Sequence, residues 1–392
     1  MSHPVHDLDP VTLIDQQCST SMRDGDPLRV LHCIHALHGG GAERQLKLLA
    51  SASHSAAVQS AIFCVEPGDA STLNVPIYQA KKKGKYDLSV YSALMDAITA
   101  FQPDVIHAWL PASMTIPAMV AARRRGIPCI YSYRNAMRFH RPLSLPEYAV
   151  ATFCSQQIIS NNPIAQSIAA YRLLFRAKSG VTIPNAVMVD PVFTKTSLTD
   201  GENGPANLLF VGRLTKQKNI DCLLRALAML PPELNWRQTI CGVGEDEGAL
   251  RKLAGELHLT DKVNFCGYRH DVYALMQQSD ILILPSWWEG MPNVLLEGLA
   301  IGLPCIASDI AATRSLLNEE CCTFFDPASP LELSDAIETL LRNRDRVVQQ
   351  VAAGRNVVSK YSIEKLVERY AELYRGLVTG RKDPTGLQLM SS

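Results

Sequence analysis

The stretch Ile281-Leu-Ile-Leu-Pro-Ser-Trp-Trp288, followed directly by Glu289-Gly-Met-Pro-Asn-Val-Leu-Leu-Glu297, decides how this chain is read. Its first part is a short apolar run of the kind that forms a buried strand. Gly290, Pro292 and Asn293 then read as a turn that enters a helix. Glu289 stands at the carboxyl end of the strand, and Glu297 lies one to two turns inside the helix. Open α/β sheets bind ligands at that end of their strands, and a helix N-terminus suits an anion such as phosphate. Two carboxylates held there can accept hydrogen bonds from ligand hydroxyls. By spacing alone, a solvated helix with a capping Glu is an equal alternative.

Outward from this stretch the same alternation continues. Asn207–Val211, Trp236–Cys241, Val263–Cys266 and Pro304–Ala307 read as strands. Ile220–Leu230, Glu247–Leu257 and Pro330–Arg342 read as helices between or after them. The first half follows the same plan, with strands at Leu28–His35, Ala61–Val65, Val105–His107, Cys129–Tyr131 and Gln157–Ile159. Helices at Ser89–Phe101 and Ser113–Arg125 lie between them. Strand–helix alternation of this kind argues for parallel sheets covered on both faces. The expected organisation is an acidic extension over 1–27, one Rossmann-like domain over 28–190, a second over 191–377 and a tail over 378–392. The helix from Ile363 to Leu377 could pack back on the first domain. A cleft between two such domains is a favoured ligand site.

The chain has 392 residues, enough for two domains with full cores, and 47% hydrophobic with 19% charged residues is a globular composition. No apolar run approaches the roughly 20 residues that a spanning helix needs. The extension carries five Asp against one Arg and lacks the basic start and apolar run of a secretory signal. The eleven Cys contain no Cys-x-x-Cys pair and no zinc-ligand spacing, so reduced thiols in a cytosolic protein are expected. Residues 28–195 hold 17 Lys and Arg against 8 Asp and Glu, whereas residues from 196 onward hold 20 against 25. The basic half contains Lys81-Lys82-Lys83 with Lys85, Arg123-Arg124-Arg125, and Arg134, Arg138, His140 and Arg141 beside Tyr133 and Phe139. Solvated faces are the plain reading of these clusters. Together they could meet an anionic membrane surface or a pyrophosphate-bearing acceptor. No nucleic-acid recognition module is visible, so nucleic acid is not an expected partner.

Five further segments carry chemistry. Val211-Gly212-Arg213-Leu-Thr-Lys216-Gln-Lys218-Asn219 joins the first strand of the second domain to its helix. Arg213 and Lys218 there could hold a diphosphate, Arg through paired N–H groups and Lys as a point charge. Gly40 and Gly41, within Gly39-Gly-Gly-Ala-Glu-Arg44, would let a ligand approach the backbone at a helix N-terminus. His107 ends a strand and could hydrogen-bond a reacting group, although a lone His is more often a satisfied structural residue. Gly242 and Tyr268 each follow a strand and could frame a nucleotide base.

Taken together, these motifs resemble the family 4 glycosyltransferases of the GT-B fold. The resemblance covers Leu28 to Leu377. It rests on Gly-Gly-Ala-Glu-Arg at 40–44, Asp-Val-Ile-His at 104–107 and Ile-Pro-Asn at 183–185. Val-Gly-Arg-Leu at 211–214 with Lys218, and Glu289 to Glu297 with Gly302-Leu-Pro304, complete it. The resemblance implies an α/β GT-B architecture, two Rossmann-like parallel-sheet domains facing across a donor and acceptor cleft. It implies a retaining hexosyltransferase that uses a nucleotide-diphosphate sugar as co-substrate, with no metal and no other cofactor. Arg213 and Lys218 would hold the donor diphosphate, Glu297 the ribose and Glu289 the sugar hydroxyls. Backbone N–H groups over Gly290, Met291, Asn293 and Val294 would touch phosphate or sugar. Gly40 and Gly41 would line the donor from the other domain, and His107 would sit near the anomeric carbon. The acceptor would be a glycan or a lipid-linked glycan, met in the cytoplasm at the inner face of a membrane. Two departures stand out: Asn185-Ala-Val-Met188 replaces Asn-Gly-Val/Ile-Asp, and Ala311-Ala-Thr-Arg-Ser315 replaces Gly-Gly followed by Glu. A sugar-nucleotide epimerase and a non-catalytic partner of another transferase remain as alternative readings.

Overall fold

A chain that alternates fully apolar strand segments with amphipathic helices can bury both only by laying helices over the two faces of a parallel sheet. The computed structural model describes residues 26–38, 40–68, 73–81, 89–109, 114–133, 157–160, 180–188 and 204–380. Residues 1–25, the segment 189–203 with the expected domain boundary, and residues 381–392 lie outside these. So do Gly39, Lys82, Lys83, Lys85, Arg134, Arg138, Phe139, His140 and Arg141. The described chain forms two compact units. One runs to Pro184 and includes the helix Ile363–Val378, and the other is Asn185–Ser362.

The first unit holds β1 (Leu28–Cys33), β2 (Val58–Cys64), β3 (Ile77–Gln79), β4 (Val105–Trp109), β5 (Cys129–Tyr133), β6 (Gln157–Ser160) and β7 (Gly180–Thr182). They pair in the order β3-β2-β1-β4-β5-β6-β7, every pair parallel. Each parallel step needs a crossover, and helices Gly41–Ala52, Ser89–Phe101 and Thr115–Arg125 supply three of them. All five residues of β4 are buried, which explains its lack of polar alternation. The strand β3 escapes a hydrophobic-run reading because it is three residues long and only half-buried at the sheet edge.

A buried polar chain runs through this unit. The Trp109 indole N–H donates to His32 Nδ1 at 3.1 Å, so His32 must carry its proton on Nε2. Nε2 in turn faces Ser60 Oγ at 3.3 Å. Ser60 and Ser53 share a 2.7 Å hydroxyl contact, and Ser53 donates to the Ala50 carbonyl at 3.0 Å. Since the Ser53 proton is committed to Ala50, Ser60 donates to Ser53, and the direction of the whole chain is set. Burial pushes the His32 imidazole down to about 3. The helix Ile363–Val378 enters the same interior through Tyr370 and Tyr374, both buried. Arg375 donates to the Ala56 carbonyl in the same unit.

The second unit holds β8 (Ala206–Val211), β9 (Trp236–Cys241), β10 (Val263–Gly267), β11 (Ile281–Leu284), β12 (Cys305–Ser308) and β13 (Thr323–Phe325). Their order is β10-β9-β8-β11-β12-β13, again all parallel. The direction of winding reverses between β8 and β11, as it does between β1 and β4 in the first unit. Such a reversal sends successive connections to opposite sides and leaves a crevice at the carboxyl ends of the two strands. Helices Val272–Gln278 and Arg344–Val358 are additions to the sequence reading. The second fully buries only Gln350 and Gly354, while Val347, Ala353, Val357 and Val358 pack half-buried on the core. Gly242 (φ +140°) lies so close to the end of β8 that a Cβ there would meet the Gly212 carbonyl oxygen at 1.9 Å.

All nine described cysteines are free thiols, eight of them buried. Burial pushes Cys64 and Cys222 up to about 12. Among the described residues no helix is long and apolar enough to cross a membrane.

Two measurements follow from this packing. His32 is neutral when folded down to about pH 3, whereas its unfolded counterpart protonates near 6.5. Stability is therefore intact above pH 6.5 and falls as pH drops from there toward 3, by about 3 kcal/mol at pH 4.5. Urea unfolding at pH 7 and 4.5 is expected to show that acid loss in the wild type and a smaller one in His32→Gln; equal losses would refute it. Gly242→Ala, with a backbone atom in its way, is expected to cost about 3 kcal/mol or more. Gly126→Ala, with φ +68° but nothing within 4 Å, should cost only about 1 kcal/mol. Equal costs in denaturant melts would remove the close-approach argument.

Candidate functional site

The carboxyl ends of β8 and β11, the strands that flank the winding reversal, carry Lys218 and Glu289. After β8 the chain turns through Gly212, where Leu214 N–H bonds the Val243 carbonyl at 3.0 Å. A single 3₁₀ turn, Lys216–Lys218, follows, and Asn219 ends it with φ 53° before the helix Ile220–Ala228. Asn is among the few side chains that accept this left-handed conformation readily. After β11, residues 285–292 form a loop before the helix Asn293–Ile301.

The two loops are bolted together through Gln217. Its carbonyl accepts the Trp287 N–H at 2.9 Å, and its side-chain amide donates to the Trp288 carbonyl at 2.8 Å. These bonds bring Lys218 Nζ to 2.5 Å from Glu289 Oε1. The Lys218 side chain is 14% exposed and that of Glu289 8%. Ser286 Oγ donates to the same Oε1 at 2.6 Å. Glu289 Oε2 has no partner among the described residues, and the Lys218 ammonium keeps two of its three donors for another oxygen. Glu297 is buried in the helix that follows.

That helix presents its positive end at the same place. Its first turn has no side-chain cap, and its N-terminal N–H dipoles favour an anion. Gly298 lets the helix lie against the sheet, since a Cβ there would meet Leu282 Cδ2 at 2.6 Å. The turn before it is fastened from the chain that enters the unit. Asn185 N–H points to Met291 Sδ at 3.0 Å, and the Asn185 amide donates to Asn293 Oδ1. Val187 packs on Met291 and Leu296. Val187 N–H bonds the Tyr361 carbonyl at 2.9 Å. Gly290, Met291, Asn293, Val294 and Glu297 thus share one loop and helix with Glu289, whose carboxylate meets Lys218 from the loop after β8. Arg213 is exposed at the end of β8 and makes no ion pair among the described residues.

Tyr268 follows β10 and is 60% exposed, with His270 edge-on at 4.9 Å. Gly242, which follows β9, is held against Gly212. Gly40 and Gly41 belong to the first unit, where Gly40 precedes the helix Gly41–Ala52. The Glu43 carboxylate folds over Gly40, where a Cβ would meet its oxygen at 2.0 Å. His107 requires a correction. It is fully buried within the first unit, with Nδ1 at 2.8 Å from Tyr374 OH and Nε2 at 2.7 Å from Ser132 Oγ. Both ring nitrogens are used inside the fold, and Trp109 stacks on the ring at 4.5 Å. Its geometry is that of a satisfied core histidine, not of a group presented to a reacting carbon.

Sequence reading missed Ser286, Gln217 and the fastening role of Asn185. Ser286 stands three residues before Glu289 and left a visible signal. The Gln217 and Asn185 bonds join positions 71 and 108 residues apart and left none. Among the described residues there is no group of three or more His, Cys, Asp or Glu arranged to hold a metal ion.

The chain matches two family models, Glycosyltransferase Family 4 over residues 39–190 and Glycosyl transferases group 1 over residues 199–357. An uncharacterized glycosyltransferase of Haemophilus influenzae is 28% identical over 230 residues, 58% of this chain and 63% of that protein. The UDP-Gal:alpha-D-GlcNAc-diphosphoundecaprenol alpha-1,3-galactosyltransferase of Escherichia coli is 26% identical over 334 residues, covering 78% of this chain and 80% of that enzyme. The crystal structure of Anabaena HepE in complex with UDP-glucose superposes with a TM-score of 0.74 at 19% identity, over 89% of this chain and all of that one. Two parallel-sheet units with this likeness are the GT-B fold. The matched models, motifs and fold agree, and the chain belongs to the family 4 glycosyltransferases.

Proposed function

We propose that the protein is a retaining hexosyltransferase, moving a sugar from a nucleotide-diphosphate sugar to a hydroxyl of a glycan or lipid-linked acceptor. The observation that carries this reading is the contact of Lys218 with Glu289 beside an uncapped helix N-terminus at the winding reversal. The solved relative bound to UDP-glucose and the Escherichia coli relative named for UDP-Gal and a diphosphoundecaprenol acceptor support the donor and acceptor classes. Synthesis of a cell-surface polysaccharide, lipopolysaccharide or lipid-linked glycan, in the cytoplasm at a membrane surface, fits that acceptor chemistry. The exposed run Arg123-Arg124-Arg125 offers positive charge for such a surface.

The hard step is cleavage of the anomeric C–O bond, whose electron pair passes to the diphosphate. Lys218, Arg213 and the N–H groups at the start of the helix Asn293–Ile301 would stabilise that charge. Groups fixed before reaction pay no reorganisation cost as charge develops. Glu289 Oε2 would accept a hydrogen bond from a sugar hydroxyl, and Glu297 one from the ribose. The acceptor oxygen would bond to the anomeric carbon from the face that the diphosphate leaves, and its proton would pass to a diphosphate oxygen. Configuration is then retained, with Glu289 a positioning group and not a nucleophile.

Product release from UDP-, GDP- and ADP-sugars, each with and without membrane lipid extract, tests this reading. Nucleoside diphosphate is expected with one donor, increased by extract, and cut at least about 100-fold in Lys218→Ala. Near-normal turnover in that variant would sink the assignment, and a sugar converted or freed regardless of acceptor would point to an epimerase. Asn185→Ala is expected to raise the donor KM with little change in KM for acceptor, because it loosens Met291 and Asn293. An unchanged donor KM would leave Asn185 a purely structural residue.

A further inference from the structure

A cavity of about 520 Å³ lies along the edge of β13 in the second unit, and it shares no lining residue with the Lys218 and Glu289 site. Its volume falls within the range of small-ligand sites. One wall is built by the departure at Ala311–Ser315. Arg314 takes both Asp309 oxygens at 2.7 Å, reaches Glu319 at 3.1 Å, and covers the Phe324 ring at 3.9 Å. These groups satisfy one another.

Three other lining residues differ. Arg346 is half-buried, with no ion pair among the described residues. Asp326 commits Oδ1 to the Ala328 N–H at 2.9 Å, and Glu332 commits Oε2 to the Asp326 N–H at 2.9 Å. Asp326 Oδ2 and Glu332 Oε1 have no partner among the described residues. Arg346 and the open oxygens of two exposed carboxylate residues therefore line one cavity.

The class of ligand follows by elimination. Four carboxylates against two guanidiniums leave the lining net negative, which disfavours a phosphate or nucleotide. No three of its acidic groups are arranged for a metal ion. An organic cation would seek an open aromatic face, and Arg314 already occupies that of Phe324. A hydroxyl both donates and accepts, so adjacent hydroxyls suit a cavity that offers both donors and open acceptors.

We propose that this cavity is a second carbohydrate site, which binds a neutral oligosaccharide through Arg346, Asp326 and Glu332. The proposal rests on the transferase reading, since a transferase that extends a glycan meets such chains as acceptor and product. The cavity is also tied to the transfer site. Asn219, next to Lys218, donates to the Pro327 carbonyl at 2.8 Å, so the segment bearing Asp326 is held by the loop that bears Lys218.

The test is saturation-transfer NMR and calorimetry of the full chain, without donor, against maltotriose, mannotriose and chitotriose. At least one is expected to bind, at least tenfold more weakly to Arg346→Ala and Arg346→Gln, and unchanged to Lys218→Ala. Thermal unfolding of each variant controls for folding. Failure of all three sugars to bind the wild type would overturn the proposal. Binding lost in Lys218→Ala but kept in both Arg346 variants would also overturn it, by placing the sugar at the transfer site and leaving the transferase reading intact. Inorganic phosphate binding that depends on Arg346 would make this an anion site instead. Failure of the transferase reading itself is read separately, in the donor panel.

Discussion

Lys218 and Glu289 meet in a nearly dry contact, and the architecture of the second unit is arranged around it. Removing an ammonium and a carboxylate from water costs several kcal/mol per ion, and their attraction returns little more than that cost. Such a pair is therefore weak as a stability device. It is well suited to hold a positive charge and an open carboxylate oxygen at one place before any ligand arrives. The Ser286 hydroxyl, the Gln217 clamp and the left-handed Asn219 each limit how far the pair can move.

The same constraint explains why the pair sits where it does. In a parallel sheet the strand ends are close in space and their loops are free of pairing duties. At the winding reversal between β8 and β11, a ligand crevice is expected, and there the two loops meet through Gln217 and the Lys218–Glu289 pair. The close backbone approach at Gly242 and the fit of Gly298 on Leu282 bring neighbouring segments tightly against these loops. The first unit has the corresponding reversal between β1 and β4 but treats its polar residues differently. There His32, His107, Trp109 and the serines around them are hydrogen-bonded to one another and fully buried. Buried polar groups must be satisfied, and these are satisfied internally.

Much of the fold was legible because a buried parallel strand needs an unbroken apolar run, as in Ile281–Leu284, and a crossover helix needs a periodic one. What escaped was short or only half-buried: the edge strands Ile77–Gln79 and Thr323–Phe325, and the helix Arg344–Val358, which fully buries two residues. Within the site, Glu289, Glu297, Lys218 and the glycines were legible because their place beside strand ends follows from local pattern. His107 looked the same locally, and only its surroundings distinguish a core histidine from a presented one.

The sequence by itself determined the alternation of strands and helices, the side of each sheet on which the loops gather, and the family to which the motifs belong. These depend on residues close together in the chain, where spacing and turn chemistry carry the information. Tertiary structure alone decided that Lys218 and Glu289 touch, that Asn185 fastens the turn before Asn293, and that Tyr374 closes over His107. It also decided that Arg346, Asp326 and Glu332 line one cavity. Each of those depends on which strand lies beside which, and sheet order is set by the packing of the whole core, not by any local run of residues.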